Sequence, residues 1–399
     1  YTVTVNPTPV LTSTLTLTPV CDNGSVSYTP TTLTSGTSFA WSRAAVSGIA
    51  NSAATGTNGF AESLDNNGTA TATVSYVYTL TANGCSNVET VSVDVYPTPV
   101  LTSTLTPASI CNLTTFSYAP TSATSGTTFS WSRAAVAGIT NSASSGINNP
   151  NETLENTTAD PIAVDYVYTL TANGCTNVET VTVTVNPGPL MSSTLTPAAI
   201  CDSTLFSYVP TSATSGTVFN WSRASVSGIS NTAATGTGNP SEYLNNTSTA
   251  PVTVTYVYTL TASGCSGIQN VSVVVNPTPE LTSTLTPAAQ CNSTLFTYVP
   301  TSATTGTAFE WSRASVSGIS NSAATGTDGI SEVLVNTSTD PVTVTYVYTL
   351  TANNCTNIQN VSVVINPTPV LTSTLTANPI CDNTTFNYIP TSATLGSAF

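Results

Sequence analysis

Short runs of alternating hydrophobic and polar residues, separated by turn-forming residues, fill the chain from end to end. β-Branched and aromatic residues dominate these runs, which favours antiparallel strands. No run keeps a helical period, so the pattern predicts an all-β fold. In residues 100–189 the runs are Leu101–Leu105, Phe116–Tyr118, Thr128–Arg133, Asn151–Leu154, Ile162–Leu170 and Glu179–Val185, with an irregular Gly/Asn/Ser-rich stretch between the third and the fourth.

The whole pattern returns at an interval of 90 residues. A long, fixed period is the signature of a tandem array. We divide the chain into the end of a preceding repeat and its linker (1–9), repeat 1 (10–99), repeat 2 (100–189), repeat 3 (190–279), repeat 4 (280–369) and the start of a further repeat (370–399). Both chain ends align with interior parts of a repeat, so we expect a segment of a longer protein. Each repeat ends in a Pro-x-Pro sequence, which predicts a short, stiff linker.

About seven short strands in a unit of this size, with a tryptophan on the third, is the pattern of an immunoglobulin-like sandwich. The sequence therefore predicts a tandem array of such domains forming an elongated rod. The third-strand tryptophans are expected to be core residues: Trp41, Trp131, Trp221 and Trp311.

Charge is scarce and acidic. The chain has four arginines, no lysine and no histidine against 18 carboxylates, for a net charge of -14. Such a chain repels phosphate backbones and anionic lipid, so we expect no nucleic-acid partner. No stretch is apolar enough to span a bilayer, so we expect no direct membrane insertion by this segment. One arginine and one glutamate recur in every repeat, which predicts structural ion pairs: Arg43–Glu62, Arg133–Glu152, Arg223–Glu242 and Arg313–Glu332.

The same scarcity argues against catalysis. Acid-base and covalent mechanisms need histidine, lysine, paired carboxylates or an activated nucleophile, and no such set recurs in this sequence. We therefore expect no enzyme activity, no catalytic residue, no cofactor and no metal site.

Two cysteines per repeat, at fixed positions and without zinc-type spacing, indicate disulfides in an extracellular setting. Two connectivities are open. In an immunoglobulin-like topology the two cysteines of one repeat fall at opposite ends of the domain, which favours bonds between successive repeats: Cys21–Cys175, Cys111–Cys265 and Cys201–Cys355. Cys85, Cys291 and Cys381 would then pair outside the segment. A different topology would favour bonds within repeats: Cys21–Cys85, Cys111–Cys175, Cys201–Cys265 and Cys291–Cys355.

The runs Cys201–Pro210, Phe219–Arg223 and Tyr256–Cys265, with the closing Asn-Pro-Thr-Pro279, carry a resemblance that extends over essentially the whole chain. They are similar to the PKD-like repeats of very large secreted proteins in gliding bacteria, including gliding-motility adhesins exported by the type IX secretion system. The resemblance implies an extracellular, outer-membrane-associated filament at the cell surface.

These observations leave three hypotheses for the function of the chain. The leading hypothesis is a non-catalytic stalk segment of a filamentous surface adhesin, whose partners are neighbouring repeats of the same chain. The alternatives are a carbohydrate-binding module that gains avidity by repetition, or a surface coat component. A polysaccharide site would lie in the irregular stretch of each repeat, residues 50–60 in repeat 1, because loops carry function.

Overall fold

A computed structural model describes residues 1–394 and 396–399. All regular secondary-structure elements within those residues are β-strands, which confirms the all-β prediction. In repeat 1 the strands are β1 (Val20–Cys21), β2 (Gly24–Tyr28), β3 (Ser38–Arg43), β4 (Ala54–Thr57), β5 (Phe60–Leu64), β6 (Ala72–Ala82) and β7 (Cys85–Tyr96). In repeat 2 they are β8 (Ile110–Cys111), β9 (Thr114–Ser117), β10 (Thr128–Arg133), β11 (Ser144–Ile147), β12 (Asn151–Leu154), β13 (Ile162–Ala172) and β14 (Cys175–Asn186).

The second half of the chain follows the same order. Repeat 3 contains β15 (Ile200–Cys201), β16 (Thr204–Ser207), β17 (Val218–Arg223), β18 (Ala234–Thr237), β19 (Ser241–Leu244), β20 (Val252–Ala262) and β21 (Cys265–Asn276). Repeat 4 contains β22 (Gln290–Cys291), β23 (Leu295–Tyr298), β24 (Ala308–Arg313), β25 (Ala324–Thr327), β26 (Ile330–Val333), β27 (Val342–Ala352) and β28 (Cys355–Asn366).

Backbone packing divides the chain into two compact units. The first contains Tyr1–Pro189 with the short segments Thr214–Gly216 and Ala262–Ser266. The second contains Leu190–Ala213, Thr217–Thr261 and Gly267–Phe399.

Each repeat has the same two sheets. In repeat 1 a five-stranded sheet has the order β1-β7-β6-β3-β4, and β2 pairs with β5 in a two-stranded sheet. The pairings are antiparallel except that β1 runs parallel to the end of β7. Alternate residues of the long strands point inward, as a two-residue period requires. Each repeat buries its own hydrophobic core, built from both sheets, so it is an immunoglobulin-like sandwich.

Three features of repeat 2 differ from the sequence expectation, the first being that β8 (Ile110–Cys111) forms outside the predicted runs. Leu101–Leu105 is not a strand: Thr102 N donates to Thr121 O, whereas Leu105 O accepts from Thr182 N of β14. The segment therefore divides its hydrogen bonds between two neighbours and builds no continuous ladder with either. Conversely, the stretch expected to be irregular contains β11, which pairs antiparallel with β10.

Candidate functional site

The cysteines of one repeat lie at opposite ends of its longest strand. Cys21 ends β1, beside Tyr96 at the end of β7, whereas Cys85 begins β7. A strand of 12 residues spans about 40 Å, and disulfide-bonded Cα atoms lie within about 7 Å of each other. A bond between the two cysteines of one repeat is therefore excluded by this topology.

The structure instead joins successive repeats. The bonded pairs and their Cα–Cα distances are Cys21–Cys175 at 5.6 Å, Cys111–Cys265 at 5.5 Å and Cys201–Cys355 at 5.6 Å. The within-repeat alternative, Cys21–Cys85, Cys111–Cys175, Cys201–Cys265 and Cys291–Cys355, is wrong for this structure, because a member of each of those pairs is bonded elsewhere. Within the described part of the chain, Cys85, Cys291 and Cys381 are free thiols.

An asparagine hydrogen bond accompanies two of the three disulfides, Cys111–Cys265 and Cys201–Cys355, and also forms at the junction before repeat 1, where Cys85 is a free thiol. Asn186, the last residue of β14, donates from Nδ2 to the carbonyl oxygen of Ser263 at 3.0 Å. Asn6 makes the same contact with Asn83 O at 2.9 Å, and Asn276 makes it with Asn353 O at 3.0 Å. Each acceptor lies in the turn before the last strand of the following repeat. Sequence reasoning missed this role, although an asparagine precedes the Pro-x-Pro linker at four of five positions.

The chain leaving each linker is also held. The backbone N–H of Leu101 donates to Glu179 Oε1 on β14 at 2.8 Å, and that of Leu11 donates to Glu89 Oε1 on β7 at 3.0 Å. In repeat 4 the Leu281 N–H donates to Gln359 Oε1 at 2.6 Å. The linker therefore connects two anchored points, one on each repeat.

The predicted ion pairs form in all four repeats. Arg133 donates from Nε to Glu152 Oε2 at 2.8 Å and from Nη2 to Oε1 at 2.9 Å. Tyr166 donates its hydroxyl proton to the same carboxylate at 2.8 Å. Arg43–Glu62, Arg223–Glu242 and Arg313–Glu332 have closest distances of 2.9, 2.8 and 3.0 Å.

This cluster joins the two sheets of each repeat. Arg133 lies on β10 of the five-stranded sheet, and Glu152 lies on β12 of the two-stranded sheet. The hydrogen bond from Arg133 lowers the pKa of Glu152. Burial and the Glu152 carboxylate raise the pKa of Tyr166. The arginine and the glutamate are therefore held charged and paired between the two sheets.

The tryptophans lie between the sheets, as a core role requires. Trp131 is 7 % exposed and contacts Tyr166 edge-on at 5.5 Å between ring centroids. Trp41 is half-buried, and Trp221 and Trp311 are buried. Each indole lies against a glycine of the neighbouring strand. In repeat 2 a Cβ on Gly146 would stand 2.9 Å from Trp131 Cζ2, so β11 can pair there only because residue 146 has no side chain.

A shallow groove lies on the outer face of the five-stranded sheet in repeats 1, 3 and 4, with a volume of about 360 to 410 Å³. We call it the hydroxyl groove; in repeat 3 it is lined by Asn220, Trp221, Ser222, Thr235, Gly236, Thr237, Val257 and Thr259. Its outer strand, β18, lies in the repeat 3 equivalent of residues 50–60, the stretch in which the sequence predicts any polysaccharide site. Repeat 2 has Ile147 at the position of Thr237.

Two searches of the described residues gave negative results. No group of three or more histidine, cysteine, aspartate or glutamate side chains is placed to hold a metal ion. No helix there is long and apolar enough to cross a bilayer.

Residues 108–189, 198–279 and 288–369 match the PKD-like domain family. The chain belongs to this family. Each PKD-like match ends at the second proline of a linker, at the last residue of repeats 2, 3 and 4. No match emerged among curated proteins.

Solved structures similar to this PKD-like chain include immunoglobulin and cadherin domains. The I67–I69 fragment of titin is 10% identical, with 67% of this chain and 97% of that fragment covered and a TM-score of 0.35. The insect immune protein hemolin is 9% identical, with 90% and 100% covered and a TM-score of 0.26. Sidekick-1 immunoglobulin domains 1–5 are 10% identical, with 92% and 80% covered and a TM-score of 0.24.

Proposed function

We propose that this chain is a non-catalytic stalk segment of a long adhesin at the cell surface, exported by the type IX secretion system and used in gliding or attachment. Tandem PKD-like domains are typical of extracellular adhesion or stalk regions, and disulfides point to the same compartment. The gliding and secretion assignments rest on the resemblance described above.

One observation carries the proposal: the same covalent junction recurs between successive repeats. A binding module needs only its own fold to act, whereas a stalk must transmit position and force from one domain to the next. The disulfide, the asparagine contact and the proline linker all concern the connection between domains.

The test is immunogold electron microscopy with antibody against repeat 2, on cells with and without a functional type IX export apparatus. We expect label along surface filaments, lost from the surface when export is disabled. A strain in which 180 residues, two repeats of this segment, have been deleted should carry a shorter filament with its adhesive activity reduced rather than abolished. Label confined to the growth medium or to a uniform coat would contradict the proposal.

A second function, weak recognition of polysaccharide by individual repeats, is favoured by the hydroxyl groove. Threonine and serine hydroxyls can exchange hydrogen bonds with sugar hydroxyls, and repetition would multiply a weak affinity. The groove recurs in three repeats with equivalent lining residues.

Repeat 2 suggests the variant that tests this second function. Thr57, Thr237 and Thr327 would be replaced together by isoleucine, the residue that repeat 2 carries at position 147. Loss of glycan retention on an array would support the groove. The matched control places isoleucine at Ser86, Ser266 and Thr356, which are exposed strand positions outside it. Equal retention by all three proteins, or retention by none, would reject this function.

A further inference from the structure

The disulfides overlap along the sequence. Each joins two cysteines that are 154 residues apart in the sequence. Cys175, the second cysteine of the Cys21–Cys175 bond, is followed after roughly 26 residues by Cys201, the first cysteine of the Cys201–Cys355 bond. Residues 22–174 and 202–354, which contain nearly all of the four hydrophobic cores, lie inside loops closed by these two bonds.

We infer that tension along this chain follows a covalent path that bypasses the folded cores of the repeats. The path crosses from Cys21 to Cys175, follows β14 and the linker at 187–189 to Cys201, and crosses to Cys355. The inference rests on the proposed stalk function only for the biological purpose of this path. The path itself is a property of the isolated molecule.

The peptide part of this path has little slack. β14 contributes 12 residues that are already extended, and it is paired with β13 from Cys175 to Val185. Pulling on an extended strand cannot lengthen it appreciably, because a chain spans at most about 3.3–3.6 Å per residue. Beyond the linker, the Met191 N–H donates to Gln269 Oε1 on β21, which anchors the start of repeat 3 to its own last strand.

The inference makes a quantitative statement about length. Pulled from its two termini, the oxidised chain can extend through about 90 residues, or about 300 Å, whatever happens to the repeats. Without disulfides the same chain extends through all 399 residues, or about 1,350 Å. Unfolding of residues 22–174 or 202–354, which these two bonds enclose, therefore releases no length in the oxidised chain.

The three disulfides are not equivalent in this respect. Cys111–Cys265 lies outside the shortest path, so its loss leaves the limiting length at about 300 Å. Loss of Cys21–Cys175 forces the path through Cys111–Cys265 and back along the chain to Cys201, a route of roughly 220 residues and about 750 Å. Each of these two losses removes one disulfide, and the two disulfides close loops of the same length.

The experiment is single-molecule stretching of the full 399-residue chain, held by peptide tags at its termini, with Cys85, Cys291 and Cys381 replaced by serine to prevent reshuffling. The variants are C21S/C175S and C111S/C265S. We expect limiting lengths of about 300 Å for the parent and for C111S/C265S, and about 750 Å for C21S/C175S, all rising to about 1,350 Å after reduction. The limiting length counts covalent bonds and does not require that each variant folds fully.

Other lengths would overturn the inference. A chain with all nine cysteines present is stretched in parallel. Disulfides within repeats would give this chain a limiting length of about 490 Å. A C111S/C265S chain as long as C21S/C175S would show that the overlapping path does not exist. Neither result depends on where the protein is located, so failure here is distinguishable from failure of the surface-stalk proposal.

Discussion

At the scale of single residues, the core of each repeat depends on a tryptophan and a glycine that meet across two strands. The sequence predicts the tryptophan as a core residue, because a tryptophan on the third strand is typical of the core of an immunoglobulin-like sandwich. It does not predict the glycine. Gly146 lies in a stretch that resembles a loop in composition, and its role is defined only by the pairing of Trp131 with Gly146 between β10 and β11.

We expect Gly146→Ala to destabilise repeat 2 by about 1–3 kcal/mol, the usual cost of overpacking a core. The new Cβ would stand 2.9 Å from Trp131 Cζ2, and the ring is itself packed against Tyr166. Denaturant unfolding followed by tryptophan fluorescence would measure the change. Gly188→Ala is the matched control, since its Cβ would meet nothing nearer than 3.5 Å. Equal stability of the two variants would contradict the packing argument.

The buried tyrosines make stability sensitive to alkaline pH. Burial, with Tyr28 nearby, raises the pKa of Tyr78 to about 12, against an ordinary value of 10.0. A group whose pKa is higher in the folded state contributes stability that is complete below the unfolded-state pKa and is lost as pH rises toward the folded-state pKa. The free energy of unfolding should therefore stay level up to about pH 10 and fall between pH 10 and 12.

Denaturant midpoints between pH 8 and 12, together with tyrosinate absorbance, would check this expectation. The free thiols are alkylated first, because thiolates would exchange disulfides in the same pH range. In denaturant the tyrosines should ionise together near pH 10, and in the folded chain a fraction should ionise later. A single ionisation step in the folded chain at the denatured position would argue against the burial effect.

At the scale of secondary-structure elements, the sequence pattern is accurate where a strand has one buried face. The predicted runs Thr128–Arg133 and Asn151–Leu154 coincide with β10 and β12, because inward residues of each alternate with exposed ones. The pattern fails where backbone bonding decides the structure. Leu101–Leu105 alternates correctly but divides its hydrogen bonds, and β11 has no aromatic residue and only one β-branched residue, Ile147.

Strand position in the sheet predicts unequal protection from hydrogen exchange. The order β11-β10-β13-β14-β8 places β13 between β10 and β14 and leaves β11 at an edge. Amides of β13 should exchange only on global opening of the repeat, and those of β11 should exchange faster through local opening. Exchange followed by mass spectrometry on peptides covering the two strands, with the denatured chain as the fully exchanged control, tests this. Equal rates in β11 and β13 would indicate that the repeat opens only as a whole.

At the scale of the whole molecule, the repeat period predicted the array, and the expected topology favoured disulfides between repeats over disulfides within them. The sequence left both connectivities open, because cysteine spacing fixes no distance. The deciding physical fact is the length of β7 and its equivalents, which separates the two cysteines of a repeat by a full strand. The junction asparagines could not be predicted for their role, since their acceptors are backbone carbonyls in a turn of the next repeat.

The same bonds should stabilise the array against unfolding. Closing a loop of 154 residues restricts the unfolded chain enough to contribute about 3–5 kcal/mol. C111S/C265S should therefore lower the unfolding midpoint of the oxidised chain, while its repeats still fold because each buries its own core. The control, Cys291→Ser, removes an exposed free thiol and should change stability by less than about 0.5 kcal/mol.

Reduction separates this entropic effect from damage at the substituted sites. In the presence of a strong reductant the parent chain loses all of its disulfides. Its unfolding midpoint should then fall to that of oxidised C111S/C265S or below. A difference between the two proteins that persists after reduction would mean that the serines disturb packing at Cys111 or Cys265 themselves. A parent midpoint unchanged by reduction would mean that the bonds between repeats limit extension under force without contributing to equilibrium stability.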